Sequence, residues 1–183
     1  LFILRATIQE QKSGWKIESE RLRKRKINFF SFQNRMIVGY ARSLILTVAA
    51  FMFGGLLGLL SFLLCAFIAK LLLESINYIE HCGLVRERGK PVKMRHSWNS
   101  NHFLSSIYLC NVTRHSDHHR AASLKFWELN PCHEDAPLLP YGYLSMLYLV
   151  LVTPFLYNKV MAKEFRNWDE NFANEYERNY LLQ

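Results

Sequence analysis

The dominant pattern along the chain is a long apolar run. Residues 43–69 are 27 consecutive positions without a charge, and the apolar character extends from about Met36 to Ile79. A membrane-crossing helix needs about 20 such residues. As one helix, 36–79 would measure roughly 66 Å, about twice the thickness of a bilayer core. Gly54-Gly55 lies inside the run and Gly58 follows, and a glycine pair is where a helix is easiest to break. The pattern therefore predicts two helices, about 36–53 and 56–80, turning at the pair. Lys70 and Glu74 lie four apart in the second, placed to pair with each other or to snorkel toward the interface.

A further uncharged stretch covers 136–158, but Pro137, Pro140 and Pro154 interrupt it. Its helix-competent core, about Tyr143 to Thr153, is short for a crossing, so an interfacial or re-entrant helix is expected within 136–160. In the tail, 161–183, Phe172, Tyr176 and Tyr180 recur at a spacing of four, which predicts one more amphipathic helix. The expected fold is all-α: a fragment of an integral-membrane helical bundle, with a transmembrane hairpin over 36–80 and cytoplasmic His-bearing helices over 81–135.

Charge decides the sidedness. Residues 1–35 carry nine Lys/Arg and three acids, including the run Arg21-Leu-Arg-Lys-Arg-Lys26 beside Ile27, Phe29, Phe30 and Phe32. Such a segment suits a membrane surface. Residues 85–126 carry eight Lys/Arg and two acids. Lys/Arg-rich flanks favour the cytoplasmic side. Two spans place both flanks there, and one span does not. The expectation is a multi-pass membrane protein, in the inner membrane if bacterial, with its histidines on the cytoplasmic side.

Composition adds exclusions. The chain has 183 residues, a common size for one domain, and 50% of them are hydrophobic, too many for a disordered chain. The net charge of +8 flanks hydrophobic segments and forms no nucleic-acid motif, so nucleic acid is not an expected partner. Cys65, Cys82, Cys110 and Cys132 form no CxxC pair. That spacing argues against a zinc ribbon and against a disulfide framework, leaving four reduced thiols. Residues 1–35 have no apolar core of the kind a signal peptide needs.

Six of the seven histidines fall between positions 81 and 119. The sharpest cluster is Arg114-His115-Ser116-Asp117-His118-His119. On a helix, His118 and His119 lie about 60° and 40° to either side of His115, so three imidazoles share one face and can converge on a metal. The spacing alone admits Fe, Zn, Cu or Ni. Asp117 points away from that face and suits a supporting carboxylate. Glu80-His81 closes the second apolar helix, where an ionisable pair is expensive and usually functional. His81 suits a ligand, and Glu80 could orient a neighbouring imidazole through its free N–H. His102, in Ser97-Trp-Asn-Ser-Asn-His102, suits an orienting hydrogen bond better than ligation. His96 in the basic loop and His133 beside Cys132 are expected to be solvated. Asn111-Val112-Thr113 fits a glycosylation sequon, read as a chance match beside the His cluster.

Taken together, these pieces resemble the membrane-bound alkane 1-monooxygenases and the related xylene monooxygenases, within the wider group of integral-membrane fatty acid desaturases and hydroxylases. Asn77-Tyr-Ile-Glu-His-Cys-Gly-Leu84 is similar to that family's Asn-Tyr-x-Glu-His-Tyr-Gly-Leu signature, with Cys82 in place of Tyr. The boxes at 97–102 and 114–119 match later signatures, with Val112-Thr113 in place of the usual Leu-Gln. Leu139-Pro-Tyr-Gly-Tyr143 is similar to a Leu-Pro-x-Gly-Tyr segment. The resemblance covers roughly residues 15–165. It implies a non-haem centre of two Fe ions, insertion of one oxygen atom of O₂ into a terminal C–H of an apolar hydrocarbon, a lipid environment, and a rubredoxin-type electron donor. Carried over by position, His81, His115, His118 and His119 are the implied iron ligands, with Asn77, Glu80 and Asp117 around them and His102 as a further supporting residue.

The family's earlier His boxes have no counterpart before position 81, and four ligands are about half of a two-iron set. The chain begins at Leu1 and not Met. It is therefore expected to be the C-terminal half of a longer protein and inactive alone. Two other readings remain at this point. One is a fatty acid desaturase or hydroxylase of the same group, and the other is a non-catalytic membrane protein with a residual His metal site.

Overall fold

The computed structural model describes residues 2–87, 89–132 and 134–181, and they are helical with no strand among them. The helices are α1 (Phe2–Lys24), α2 (Arg35–His81), α3 (Phe103–Tyr108), α4 (His115–Arg120), α5 (Tyr143–Val152), α6 (Pro154–Asn171) and α7 (Glu175–Leu181). They group into two compact units, Leu1–Glu74 and Ser75–Gln183.

In the first unit a short polar knot joins α1 to α2. Buried Glu18 takes two bonds from Arg21, at 2.8 and 2.6 Å, and one from the Arg35 N–H at 2.7 Å. Asn34 caps α2: its Oδ1 accepts from the N–H groups of Met36 and Ile37 at 3.0 and 3.2 Å, which satisfies donors that a helix start leaves orphaned. Trp15 stacks on Phe29 and on Tyr40.

Although α2 runs for 47 residues, Gly55 breaks it with φ 57° and ψ −151°. The contacts of the two arms show that the chain doubles back there. Tyr40 bonds Gln11, and Lys70 bonds the adjacent Glu10. In a straight helix Tyr40 and Lys70 would lie about 45 Å apart. Gly58 also sits against the Ala50 carbonyl oxygen, so closely that a Cβ there would overlap it. Lys70 pairs with Glu74 as well as Glu10. None of the most apolar 18-residue window of α2 is buried, and Phe53, Leu57 and Met52 are among its most exposed side chains.

The Gly55 backbone lies in a region open essentially to glycine alone, where another residue costs about 1–3 kcal/mol. Gly55→Ala is accordingly expected to lower the thermal midpoint of the intact protein in detergent. Gly54→Ala meets open space and should leave it level or slightly raised. Equal melting of the two variants would contradict this assignment of the turn.

The second unit has a real core. Ile79, Trp98, Leu139, Tyr143, Met146, Tyr157, Met161 and Trp168 are buried together, with Ala173 at its edge. They come from the end of α2, the 97–102 segment, the turn before α5, and α5 and α6 themselves, while Leu144, Tyr148 and Val152 of α5 and Phe155 of α6 stay exposed. The tail differs from its sequence pattern. Pro154 opens α6, which runs to Asn171, and α7 begins only at Glu175. Phe172 falls in the break, and Tyr176 and Tyr180 are exposed. Among the described side chains of α7 the buried one is Glu177, one position beyond Tyr176. A pattern of aromatics cannot reveal a helix whose inward residue is a carboxylate with a distant partner. The four cysteines are free thiols.

Candidate metal centre

The end of α2 and the short helix α4 are held together by the segment 97–102. The Trp98 N–H donates to the Glu80 carbonyl and its indole N–H to the Cys82 carbonyl, both at 2.8 Å, so the fully buried Trp98 clamps the last turn of α2. One residue earlier, Ser97 meets Ser116 of α4: the two hydroxyls lie 3.1 Å apart, and Ser116 Oγ donates to the Ser97 carbonyl at 3.0 Å. The Ser100 N–H then bonds the Thr113 carbonyl at 2.8 Å, just before α4. Asn99 ties the same segment to 137–139, donating from its N–H to the Pro137 carbonyl and accepting from the Leu139 N–H, each at 2.8 Å. This box is a scaffold. Its histidine is the least integrated member.

On that scaffold the imidazoles of His81, His115 and His119 converge. One ring nitrogen from each lies within 4.8 Å of the others. The rings of His115 and His119 are 4.4 Å apart, and each is about 5 Å from His81. His81 Nδ1 lies 3.2 Å from the His96 carbonyl oxygen. A carbonyl only accepts, so Nδ1 carries the proton and the Nε2 lone pair is left facing the cluster. That Nε2 is 3.3 Å from His115 Nε2, a separation two nitrogens have when they share one ion at about 2.1 Å each. On the far edge of the His115 ring, Nδ1 is 3.4 Å from Glu80 Oε1, a contact still longer than a formed hydrogen bond. Buried His119 Nε2 has no hydrogen-bond partner among the described residues.

The electrostatics suit a cation. Burial, and after it the imidazoles of His119, His81 and His118, push the His115 pKa down to about 3. Burial, then His81, His118 and Arg86, hold His119 at about 4. Both rings are neutral at neutral pH, which is the ligating form. Three converging imidazoles, an orphaned buried His119 Nε2 and two Nε2 atoms 3.3 Å apart make a donor set that fits a first-row transition metal. A cavity of about 300 Å³ adjoins the trio, lined by His81, His96, His119, Leu84, Arg86 and Val92.

The other residues singled out from the sequence fall in different places. His118 is exposed, with its ring 5.8 Å from His115 and 6.2 Å from His119. Asn77 is half-buried one helical turn before His81. Asp117 turns away from the trio: Arg120 bonds one of its oxygens at 2.6 Å and the Asn130 N–H the other at 2.7 Å, so it pins α4 to the loop behind it. His102 is exposed at the start of α3 and its Nδ1 is 3.0 Å from Ser100 Oγ. His133 lies outside the described residues.

His96 is a correction. It is not solvated but buried, at 7% exposure. Its Nδ1 accepts from the Lys93 N–H at 3.0 Å, and its Nε2 is 2.8 Å from Glu177 Oε1. Arg95 makes two further bonds to that carboxylate, at 3.0 and 2.9 Å. The basic loop looked water-facing because its carboxylate partner is 81 residues away. Sequence reasoning also missed Trp98, Glu177 and the Ser97–Ser116 pair. Only Trp98, a large aromatic inside a polar box, left a local trace.

Comparison with known proteins places these features. A family model described as "Fatty acid desaturase" matches residues 1–150. The chain is 40% identical over 159 residues to alkane 1-monooxygenase 1 of Pseudomonas aeruginosa, covering 84% of this chain and 41% of that protein. It is 36% identical over 165 residues to alkane 1-monooxygenase 2 of Alcanivorax borkumensis, covering 87% and 43%. Against the xylene/toluene monooxygenase hydroxylase component of Pseudomonas putida it is 31% identical over 182 residues, covering 99% and 48%. The chain thus spans less than half the length of these curated relatives.

Proposed function

The chain belongs to the fatty acid desaturase family, and from that premise we propose that it forms part of a membrane monooxygenase that hydroxylates a terminal C–H bond of an alkane or alkyl chain. The observation that carries this reading is the convergence of His81, His115 and His119 within 4.8 Å. Its relatives are named as alkane and xylene/toluene monooxygenases.

The metal is iron, two ions in the complete site, with His81, His115, His118 and His119 supplying part of the ligand set. Exposed His118 is the member that must turn inward. Further ligands come from sequence beyond these 183 residues. The overall reaction consumes RH, O₂, two electrons and two protons and yields ROH and water. A rubredoxin-type protein supplies the electrons. Bound iron supplies O₂ activation. The chain's own residues supply the rest. Glu80, from the far side of the His115 ring, orients that imidazole. The 97–102 segment fixes α2 against α4, and Leu84 and Val92 are the apolar part of the adjoining cavity's wall that a substrate without charge or hydrogen bonds would meet.

The doubled-back α2 is read as a transmembrane hairpin, 36–53 and 56–80, with both ends cytoplasmic. Its support is the unburied apolar surface of the two arms and the basic segments that flank them. The 136–160 segment is read as an interfacial or re-entrant helix, and the membrane is the inner one if the source is bacterial.

The test is product analysis. Membranes bearing the intact protein, given O₂ and a reduced rubredoxin-type donor, are expected to convert an n-alkane to its 1-alcohol. The family description also covers acyl substrates, so a fatty acyl lipid is assayed beside it. A new double bond in the acyl chain, or no oxygenated product from iron-loaded protein, would overturn the alkane reading.

A further inference from the structure

The Leu139-Pro-Tyr-Gly-Tyr143 motif lies outside the His trio, and its placement connects it to the metal centre. Leu139 is buried and its N–H bonds the Asn99 carbonyl at 2.8 Å, which docks the motif on the scaffold segment. Gly142 opens α5 so close to α3 that a Cβ on it would lie 2.8 Å from Ser105 Oγ. That approach lets the Tyr143 N–H donate to Ser105 Oγ at 2.9 Å. The start of α5 is thereby fixed, and the Tyr143 side chain runs into the core at 2% exposure. Its hydroxyl donates to Glu80 Oε1 at 3.2 Å. The same oxygen is the one 3.4 Å from His115 Nδ1.

We propose that Tyr143 is a positioning residue for the metal site: its hydroxyl holds Oε1 of the buried Glu80 carboxyl group against His115 Nδ1. That hold fixes which nitrogen of His115 carries the proton and leaves Nε2 for the metal. Without the hydroxyl, Glu80 keeps its burial and loses a donor, so its carboxyl group turns toward another partner and releases the imidazole. Each part of the motif then has a task. Leu139 docks it, Gly142 admits the close approach, and Tyr143 reaches the carboxyl group. The inference rests on the reading that the His trio binds metal.

The test is a titration of the intact protein in detergent with cobalt(II), an air-stable stand-in for the ferrous ion, scored by competition with a coloured chelator. Tyr143→Phe is expected to weaken cobalt affinity about 10-fold, the lower end of the range for residues that support a ligand. The comparison is Tyr157→Phe, an equally buried tyrosine whose hydroxyl bonds neither Glu80 nor a histidine among the described residues. It should leave affinity unchanged. In a Glu80→Gln background Tyr143→Phe should add nothing, because the group it positions is gone. Gly142→Ala keeps the hydroxyl but displaces the start of α5. It should also weaken binding, and it serves if Tyr143→Phe folds poorly. Equal affinities for Tyr143→Phe and Tyr157→Phe, or additive losses with Glu80→Gln, would overturn the inference. If His115→Ala leaves cobalt binding intact, the metal-site reading itself falls and the inference goes with it.

Discussion

His115→Ala is expected to reduce hydroxylation by the intact protein more than about 100-fold, because removal of a ligand should exceed the 10–100-fold typical of the groups that merely support one. His115 is the node of the site. It faces His81 Nε2 at 3.3 Å on one side and Glu80 at 3.4 Å on the other, and its ring is 4.4 Å from His119. Alanine there leaves His81 and His119 without their shared neighbour. His102→Ala is the instructive contrast. His102 belongs to a box that resembles a signature of the same family, yet it is exposed and bonded to Ser100. Its replacement should cost far less, within about 10-fold. Oxygenated product from membranes at matched protein levels is the readout. Comparable losses for the two variants would contradict the placement of the site.

The second large effect concerns stability. Glu177→Ala should destabilise the Ser75–Gln183 unit by about 3 kcal/mol, the lower end for breaking a buried ion pair by removing one partner. Glu177 is 1% exposed and accepts two bonds from Arg95 and one contact from His96. It also closes a capping box on α7: its Oε2 accepts from the Asn174 N–H and its own N–H donates to Asn174 Oδ1, both at 2.9 Å. The lower end applies because Arg95 retains 19% exposure and can recover some hydration. Burial by itself would raise the Glu177 pKa, but Arg95, the Asn174 N–H and His96 outweigh it and hold it at about 2. A depressed carboxylate pKa contributes stability that is complete above the ordinary value near 4.5 and is lost as pH falls toward 2. Unfolding by urea at pH 5 and at pH 3 separates the cases. The native protein should weaken between them, and Glu177→Gln should show less of that dependence. Replacing exposed Glu175 should change little. Equal stability of Glu177→Ala and Glu175→Ala would show that the buried pair contributes nothing.

What the sequence made legible was local. The break at Gly55 announces itself because two adjacent glycines sit near the middle of the apolar run. The His115 and His119 faces follow from helical spacing within five residues. Glu80-His81 stands out as charge at the end of an apolar helix. What stayed hidden was long-range and polar. His96 meets Glu177 across 81 residues, and no local pattern encodes that pairing. The aromatic spacing at 172, 176 and 180 suggested an apolar face, but the chain breaks at Phe172 and buries Glu177 instead. His118 and His119 flank His115 at similar angles, about 60° and 40° to either side, yet α4 is only six residues long, and the fold seats one beside His81 and leaves the other exposed. The Tyr143–Glu80 bond joins residues 63 positions apart. It becomes visible only once the close approach at Gly142 is known.

The central claim is that His81, His115 and His119 hold iron. Its most direct test is metal analysis of the intact protein, purified without chelators, beside a variant with all three histidines replaced by alanine. The account predicts that the native protein retains iron with imidazole nitrogen in its X-ray absorption signature, and that the triple variant, folded by circular dichroism, has lost it. Native protein that retains no iron when reconstituted anaerobically with ferrous ion, or a triple variant that retains as much as the native protein, would contradict it.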